Sequence, residues 1–485
     1  MNLFRRAEFL AFFGILAVSY SCTKVYAPEY ECNVENEEDY VWDISDEVSI
    51  VLNGTSAAVA GSGATVKGSE ILITSGGNYR ISGTLDNGRI VVDYPGDSIV
   101  RLILDGASVT GCTNSAVFIK DAGKAVVYLE EGSVNSLIDA TIYTYDDKTG
   151  EEPSAALYCK SYLGIAGNGS LNVTGRFLDG IVGKDGVVIR NGTIRVNAVD
   201  DGIRGKDYLL IHDGDITVTS GDDALKSDIS IQIDTGKFLI DAGDDAIHAD
   251  TSLVINGGSI NITRSYEGLE STAVNINGGT IHVVADDDGI NAADGTGGGQ
   301  PGIPGMPPQG GVTSGNCSLM ITGGYTWVNG SGDGIDINGS VEMKAGTLII
   351  DGPTANNNGA LDYDGTCKVT GGTILAIGSS GMAQAPGTVS TQNSVMINFS
   401  SQQSAETLVT ITDSNGNALL SAINSKKYQS VVYCSADLAK GSSYDIYLAG
   451  TNSGTAIDGV FHGGQYTPGN KYKSFTVSGT LTQVR

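Results

Sequence analysis

Acidic pairs return along this chain at a fixed interval. Asp200-Asp201, Asp222-Asp223, Asp244-Asp245, Tyr266-Glu267 and Asp287-Asp288 open successive units, at steps of 22, 22, 22 and 21 residues. Leu178-Asp179-Gly180 falls one unit earlier, and weaker units read "SAVFIK" (115–120) and "SAALYCK" (154–160). Gly332-Asp333-Gly334 and Asn358-Gly359-Ala360-Leu361 resume the series after an insertion. A period of this length means stacked supersecondary units, each burying its apolar face on its neighbours. Every unit holds short runs of alternating polarity separated by Gly, Asn or Asp, such as "DAIHAD", "SLVING" and "SINITRS". Such runs read as strands. No unit contains a sustained 3.6-residue pattern, which excludes a helical repeat. The sequence therefore predicts an all-β chain whose main body, residues 49–384, is a right-handed parallel β-helix of about 22 residues per coil.

Stacked coils place equivalent residues in ladders about 4.8 Å apart. After each acidic pair comes a small residue (Gly202, Ala224, Ala246, Gly268, Gly289, Gly334), then an aliphatic one (Ile203, Leu225, Ile247, Leu269, Ile290, Ile335, Leu361). The last strand of each coil adds two more inward lanes, one running Ile194, Ile216, Phe238, Ile260 and Ile281, the other Val196, Val218, Ile240, Ile262 and Val283. Each buried aliphatic contributes about 1.5–3 kcal/mol, so consecutive coils support one another. The 68 glycines among 485 residues fit a chain of many tight turns.

Three regions leave the repeat: a polar insertion at 139–153, a Gly/Pro-rich loop at 294–316, and everything beyond 385. Residues 385–485 read as antiparallel strands forming a C-terminal β cap, which would cover the exposed backbone at the end of the solenoid. At the other end, Arg5, Arg6 and the apolar run Phe9–Ser19 make residues 1–21 a signal peptide, and "SYSC" places Cys22 as a lipidation site. A plain secretory signal is the alternative. The expectation is an exported lipoprotein at a bacterial outer membrane or cell surface, touching the membrane through its lipid anchor only, with residues 22–48 as a linker. The six remaining cysteines are widely spaced and show no zinc pattern.

A formal charge of −27 leaves no basic footprint and excludes nucleic acid as a partner. It also means that an acidic polymer would need cations between like charges. The ladder Asp200/Asp201, Asp222/Asp223, Asp244/Asp245, Glu267, Asp287/Asp288 and Asp333 raises the same problem internally. Carboxylates about 5 Å apart repel by about 3 kcal/mol at an effective dielectric of about 20. Hard oxygen donors at this spacing suit Ca²⁺, although aspartate is also an ordinary turn residue. Beside the ladder runs an outward polar lane, Arg204, Lys226, His248, Glu270, Asn291, Asp336 and Asp362, that changes from cationic to acidic along the axis. A second lane adds Asp185, Asp207, Asp228, Asp250, Asp294, Asn338 and Asp364. Together they offer a long face for an extended polymer, with Arg204, Lys226, His248, Glu270 and Asn291 as candidate ligand-binding residues. Trp327 also points outward from its strand; it either stacks on a sugar ring or is covered by the cap or an N-terminal arm.

The motifs "DDGIRGKD", "GDDALKSD", "GDDAIHAD", "DDDGINAADGTGGG" and "GDGIDINGS" resemble the calcium-binding, carbohydrate-binding parallel β-helix family of cellulose-degrading clostridia, and the likeness runs over most of residues 80–485. The resemblance implies calcium in the acidic ladder and binding of plant cell-wall polysaccharide, such as polygalacturonate or cellulose. It also implies a likeness to β-helical pectate lyases. The chain departs from the pattern at Tyr266-Glu267, which puts a metal in that coil in doubt. Three functions follow as alternatives: calcium-dependent binding of acidic polysaccharide, a lyase acting by β-elimination, or a structural or adhesive surface protein. In a lyase, Lys226 would be the base and Arg204 would neutralise the substrate carboxylate. Carboxylates around Lys226 work against that role.

Overall fold

A computed structural model describes residues 35–145, 153–293 and 317–485. The signal segment, Cys22, Cys32, Asp294 and the 294–316 loop lie outside the described residues. The body is a parallel β-solenoid of about 12 turns, followed by a separate antiparallel sheet. One face can be followed strand by strand in parallel register: Val117–Asp121, Ala155–Cys159, Asp179–Gly183, Ile203–Gly205, Leu225–Ser227, Ile247–Ile255, Leu269–Ile276, Ile290–Ala292, Ile335–Ile337 and Asp362–Tyr363. Two further faces repeat the arrangement.

The inward lanes stack as the sequence predicts. Ile203 pairs with Leu225, Leu225 with Ile247, and Ile247 with Leu269, all fully buried. The small residue before each is small for a reason. A Cβ on Gly202 would lie 2.4 Å from Val218 Cγ1 and 2.5 Å from the Ala224 carbonyl oxygen. The corner there closes against both its own coil and the next.

Some coils have two strands where three are expected. "DAIHAD" and "SLVING" fuse into the single strand Ile247–Ile255, which bends where the register shifts between Ala249 and Ser252. Leu269–Ile276 does the same. The earlier coils break at Gly205 or after Ser227, whereas Asp250 and Thr251 stay extended and carry the strand around the corner. The start also differs from a uniform coil. Glu47–Gly54 pairs in parallel with Gly77–Leu85 but antiparallel with Ala57–Ala60.

The segment expected to be a linker is bound where it is described. Across residues 35–46, Glu35 meets His212 at 2.7 Å, Glu37 meets Arg190 at 2.8 Å, and the Tyr40 hydroxyl lies 3.0 Å from that of Tyr162. Burial would lower the basicity of the His212 ring. Its hydrogen bonds to Asp234 and Glu35 outweigh that and raise its pKa to about 9.

The cap joins the solenoid through Tyr428–Cys434, which pairs antiparallel with the last coil strand, Thr373–Gly378. Its other edge takes Ser394–Gln403, again antiparallel. Leu481–Val484 then adds in parallel, a departure from the all-antiparallel expectation. A six-stranded antiparallel sheet follows, containing Val409–Thr412, Ala418–Ala422, Ser443–Asn452, Thr455–Ile457, Val460–His462 and Tyr466–Thr476. Ile349, Leu375 and Ile377 of the solenoid share an apolar cluster with Phe399, Val409 and Tyr444 of the cap. Pairing with Tyr428–Cys434 covers the edge of the last coil strand, which would otherwise expose unpaired backbone, and the cluster buries the adjoining face. No disulfide links the described residues, and no helix among them is long and apolar enough to cross a membrane.

Candidate functional site

The two acids of each pair do different work. Asp201, Asp223 and Asp245 are buried, while Asp200 and Asp222 are half-buried and Asp244 is exposed. Several of these second acids turn one oxygen along the solenoid axis to accept a backbone N–H from the next coil: buried Asp223 Oδ1 from Asp245 at 3.0 Å, buried Asp245 Oδ1 from Glu267 at 3.2 Å, and half-buried Asp288 Oδ1 from Asp333 at 2.5 Å. Asp179 begins the series by accepting from the Asp201 N–H at 3.3 Å. These bonds satisfy corner amides that strand pairing leaves over. The second oxygen of each acid remains for other partners. The sequence pattern treats the two positions alike; only burial separates them.

The outward lane lies where expected. Backbone register carries Val182 to Arg204, then to Lys226, His248, Glu270, Asn291, Asp336 and Asp362. Arg204, Lys226, His248, Glu270, Asn291 and Asp336 each stand three positions after the second acid of their own coil; before Asp362 that position is Gly359. That offset folds the side chain back onto the ladder. Lys226 Nζ lies 2.7 Å from Asp223, 3.4 Å from Asp201 and 3.6 Å from Asp222. Arg204 reaches Asp228 at 3.0 Å and Asp201 at 3.5 Å. His248 Nδ1 lies 2.7 Å from Glu270 and 3.0 Å from Asp245, and its Nε2 is 3.1 Å from Asp250. Ladder and lane are therefore one site.

Charge divides this site into two halves. In the first, burial opposes the Lys226 ammonium, yet Asp223, Asp201 and Asp222 keep its pKa above the ordinary lysine value. Burial likewise opposes the His248 imidazolium, but Asp245 and Glu270 hold its pKa up to about 11. The protein's own cations sit against the carboxylates of these coils. In the second half no lysine, arginine or histidine pairs with Glu267, Asp288, Asp333, Asp336 or Asp362 among the described residues. Burial first, and neighbouring carboxylates second, raise Asp333 and Asp336 to about 6. Burial raises Asp288 to about 7 and Glu267 to about 8, the latter against a hydrogen bond from Asn291.

Several groups of oxygens lie close enough to hold one ion. Asp288, Asp333 and Asp336 offer atoms all within 4.8 Å of one another, and so do Asp200, Asp201 and Asp222, and Asp222, Asp223 and Asp244. Asn291 adds an independent sign next to the first group. Its Nδ2 donates to Glu267 at 2.8 Å, while its Oδ1 is buried with no hydrogen-bond partner. A buried carbonyl oxygen without a partner costs free energy, and a hard cation satisfies it. An all-oxygen set of three carboxylates and an orphan amide fits Ca²⁺. The group containing His248 is less suited, because imidazole is not a calcium ligand of choice. Asp336 was read only as a lane residue, yet it completes this group. Its offset from Asp333, the same as that of Lys226 from Asp223, is the signal that identifies it.

Trp327 sits elsewhere. Its register partners are His282 and Ile349, on another strand face, where it is half-buried against the cap cluster. It shares no strand face with Arg204, Lys226, His248, Glu270 and Asn291. A shallow hollow lined by Glu37, Glu38, Asp39, Val41 and Arg101 lies along the bound N-terminal segment, away from the ladder.

Residues 67–303 match the family described as carbohydrate-binding domain-containing protein. A protein of the same description from Acetivibrio thermocellus is 35% identical over 136 residues, or 28% of this chain and 48% of that relative. The chain thus spans about half the length of this curated relative. The solved polysaccharide lyase-like protein from C. thermocellum, a gadolinium derivative, is 27% identical, with a TM-score of 0.39 over 50% of this chain and 91% of that one. The family match stops at 303, so the cap and the last coils lie outside it. The likeness is therefore narrower than residues 80–485.

Proposed function

We propose that this protein binds acidic polysaccharide along the ladder face, with calcium held in the cation-poor half. The observation that carries the reading is the continuity of one lane: side-chain cations at Arg204, Lys226 and His248 run in register into the carboxylates of Asp336 and Asp362. A polyuronate laid along this face meets at one end cations already paired with the protein's own carboxylates, Lys226 with Asp223 and Arg204 with Asp228, and must share those pairs. At the other end, Asp288, Asp333, Asp336 and the Asn291 carbonyl would hold calcium. Bound there, calcium supplies the positive charge that a uronate carboxylate needs to approach an acidic surface. The family description matched by residues 67–303 supports a carbohydrate ligand.

Binding fits the geometry better than lyase chemistry. A lyase base must be able to give up its proton, but Lys226 is locked among three carboxylates that favour its protonated form. Arg204 is committed to Asp228 and Asp201. The test is retention on insoluble polygalacturonate with calcium and with chelator, alongside absorbance of unsaturated uronate products. The expected result is chelator-sensitive retention with no product. Product formation abolished in Lys226→Met would replace binding by the lyase reading, and absence of retention would leave a structural role. Anchoring at Cys22 would hold this face at a cell surface. Incorporation of labelled fatty acid, lost in Cys22→Ser, tests that part.

A further inference from the structure

An ion pair joins the solenoid to its cap, away from the ladder. Asp351 ends the solenoid strand Thr347–Asp351, and Lys426 lies in the cap between the strands Ala418–Ala422 and Tyr428–Cys434. Asp351 is 6% exposed. Its Oδ2 accepts from the Ser425 hydroxyl, while its Oδ1 is buried with no hydrogen-bond partner. Lys426 Nζ donates to the main-chain oxygens of Gly330 and of Asp351 itself, each at 2.7 Å. Those two bonds hold the amine 3.9 Å from the orphan Oδ1, beyond hydrogen-bond reach.

An amine fixed beside a carboxyl that it does not hydrogen-bond is placed for reaction as much as for attraction. Three surroundings favour reaction. Burial lowers the Lys426 pKa to about 8, against the attraction of Asp351, so a neutral and nucleophilic amine is well populated near that pH. Lys226 in the ladder is the contrast, since its three carboxylates hold it above the ordinary lysine value. The Ser425 hydroxyl polarises the Asp351 carboxyl from the far side. Finally, Asp351 and Ser425 open on a hollow of about 150 Å³ whose other walls include Trp327, Ile349, Leu375 and Ile377. It has room for a few waters, at about 30 Å³ each, behind apolar walls that restrict their supply.

We propose that Lys426 and Asp351 condense into an intramolecular amide that staples the cap to the solenoid. The Lys426 ammonium gives a proton to Oδ1, directly or through one water, and the freed Nζ lone pair attacks Cγ. The Nζ–Cγ bond forms and the Cγ–Oδ1 bond breaks. Oδ1 departs as water with two of the three ammonium protons, the third stays on the amide nitrogen, and the two opposite charges cancel. Oδ2 remains as the amide oxygen, with the Ser425 hydroxyl already donating to it. No oxidant or cofactor is consumed. Groups held in this way react at effective concentrations of about 10⁵–10⁸ M when well oriented, which offsets the low reactivity of a carboxyl. The product also removes a buried charge pair and its unsatisfied oxygen. No disulfide links the described residues, so the amide would be a covalent tie that the cap otherwise lacks there. It depends on neither the ladder nor any ligand bound to it.

The test is mass spectrometry of the full chain after prolonged incubation at pH 8. The folded wild type should be lighter than its unreacted chain by the mass of one water, and proteolysis should release a branched peptide joining the segments around Asp351 and Lys426. Lys426→Arg keeps a cation for the Gly330 and Asp351 carbonyls, but its guanidinium does not condense; this variant should fold and carry the full mass. Asp351→Ala should carry the full mass as well. Fragmentation must place the lost water, because Asp-Gly pairs such as Asp179-Gly180 also lose one when they close to a cyclic imide. A wild type of full mass, a lost water mapped to another residue, or the same loss in folded Lys426→Arg would overturn the proposal.

Discussion

The two halves of the acidic ladder share a backbone and a register, although the 22-residue step of the first becomes 21 and then 45 in the second, yet they answer the same electrostatic problem differently. Around Asp201, Asp223 and Asp245 the lane residue is a cation that reaches the buried carboxylate of its own coil. Around Asp288 and Asp333 the lane residue is an amide or another acid. In the first half three side-chain cations, Arg204, Lys226 and His248, sit among six ladder carboxylates and offset part of their charge. The second half has no such cation among the described residues; burial raises carboxyl pKa values in both halves, Asp201 as well as Asp288 to about 7, so the halves differ in their ion pairs. One position per coil, three residues after the buried acid, decides which behaviour a coil has.

The largest effect should come from converting a coil of the first kind into the second. Lys226→Met removes the nearest cation from Asp201 and Asp223, each about 2% exposed, and leaves only Arg204 at 3.5 Å for the first and His248 at 3.8 Å for the second. In chelator it should cost about 3–5 kcal/mol, the range for breaking a buried ion pair. Urea denaturation, read as a midpoint because a stacked solenoid is not guaranteed to unfold in one step, measures this. Added calcium should restore a good part of the loss; an equal loss with and without calcium would mean that the coil cannot take a solution ion. The converse change is Asp288→Asn/Asp336→Asn. Relief of like-charge repulsion should raise the melting temperature in chelator at pH 8, equivalent to about 1–3 kcal/mol, and calcium should no longer add to it.

Acidity gives a third test. The folded carboxyls of Asp333, Asp336, Asp288 and Glu267 titrate near 6, 6, 7 and 8. In the unfolded chain they titrate near 4. The folded state therefore holds more protons over that window, and stability in chelator should fall as pH rises from about 4 through 8. Calcium competes with those protons, so its stabilising effect should grow across the same window. Melts at pH 5 and pH 8, with and without calcium, measure both trends; a calcium effect independent of pH would place the ion elsewhere. The smallest change is Tyr266→Asp, which restores the doubled acid in the broken rung. Tyr266 is 48% exposed, so stability in chelator should move by less than about 0.5 kcal/mol, while the calcium response sharpens.

The period, the inward lanes and the order of the outward lane were legible because each depends on local alternation repeated many times. Ile203, Leu225 and Ile247 could occupy no other face once the coil length was known. The division of labour within each acidic pair was not legible. It depends on which carboxylate meets the next coil's amide, a contact 22 residues away in sequence, as between Asp223 and Asp245. The covering of Trp327 was legible only as one of two alternatives, since the residues packing there come from a cap more than 70 positions downstream with no repeat to align. The bound segment at 35–46 escaped for the same reason: its partners Tyr162, Arg190 and His212 belong to coils far along the chain.

The division of the ladder is tested most directly by counting calcium per chain in equilibrium dialysis at pH 8, in the wild type, Asp288→Asn/Asp336→Asn and Lys226→Met. The account predicts calcium bound by the wild type, a loss in the double variant and no loss in Lys226→Met. Equal uptake by the wild type and the double variant, or none by either, would contradict it.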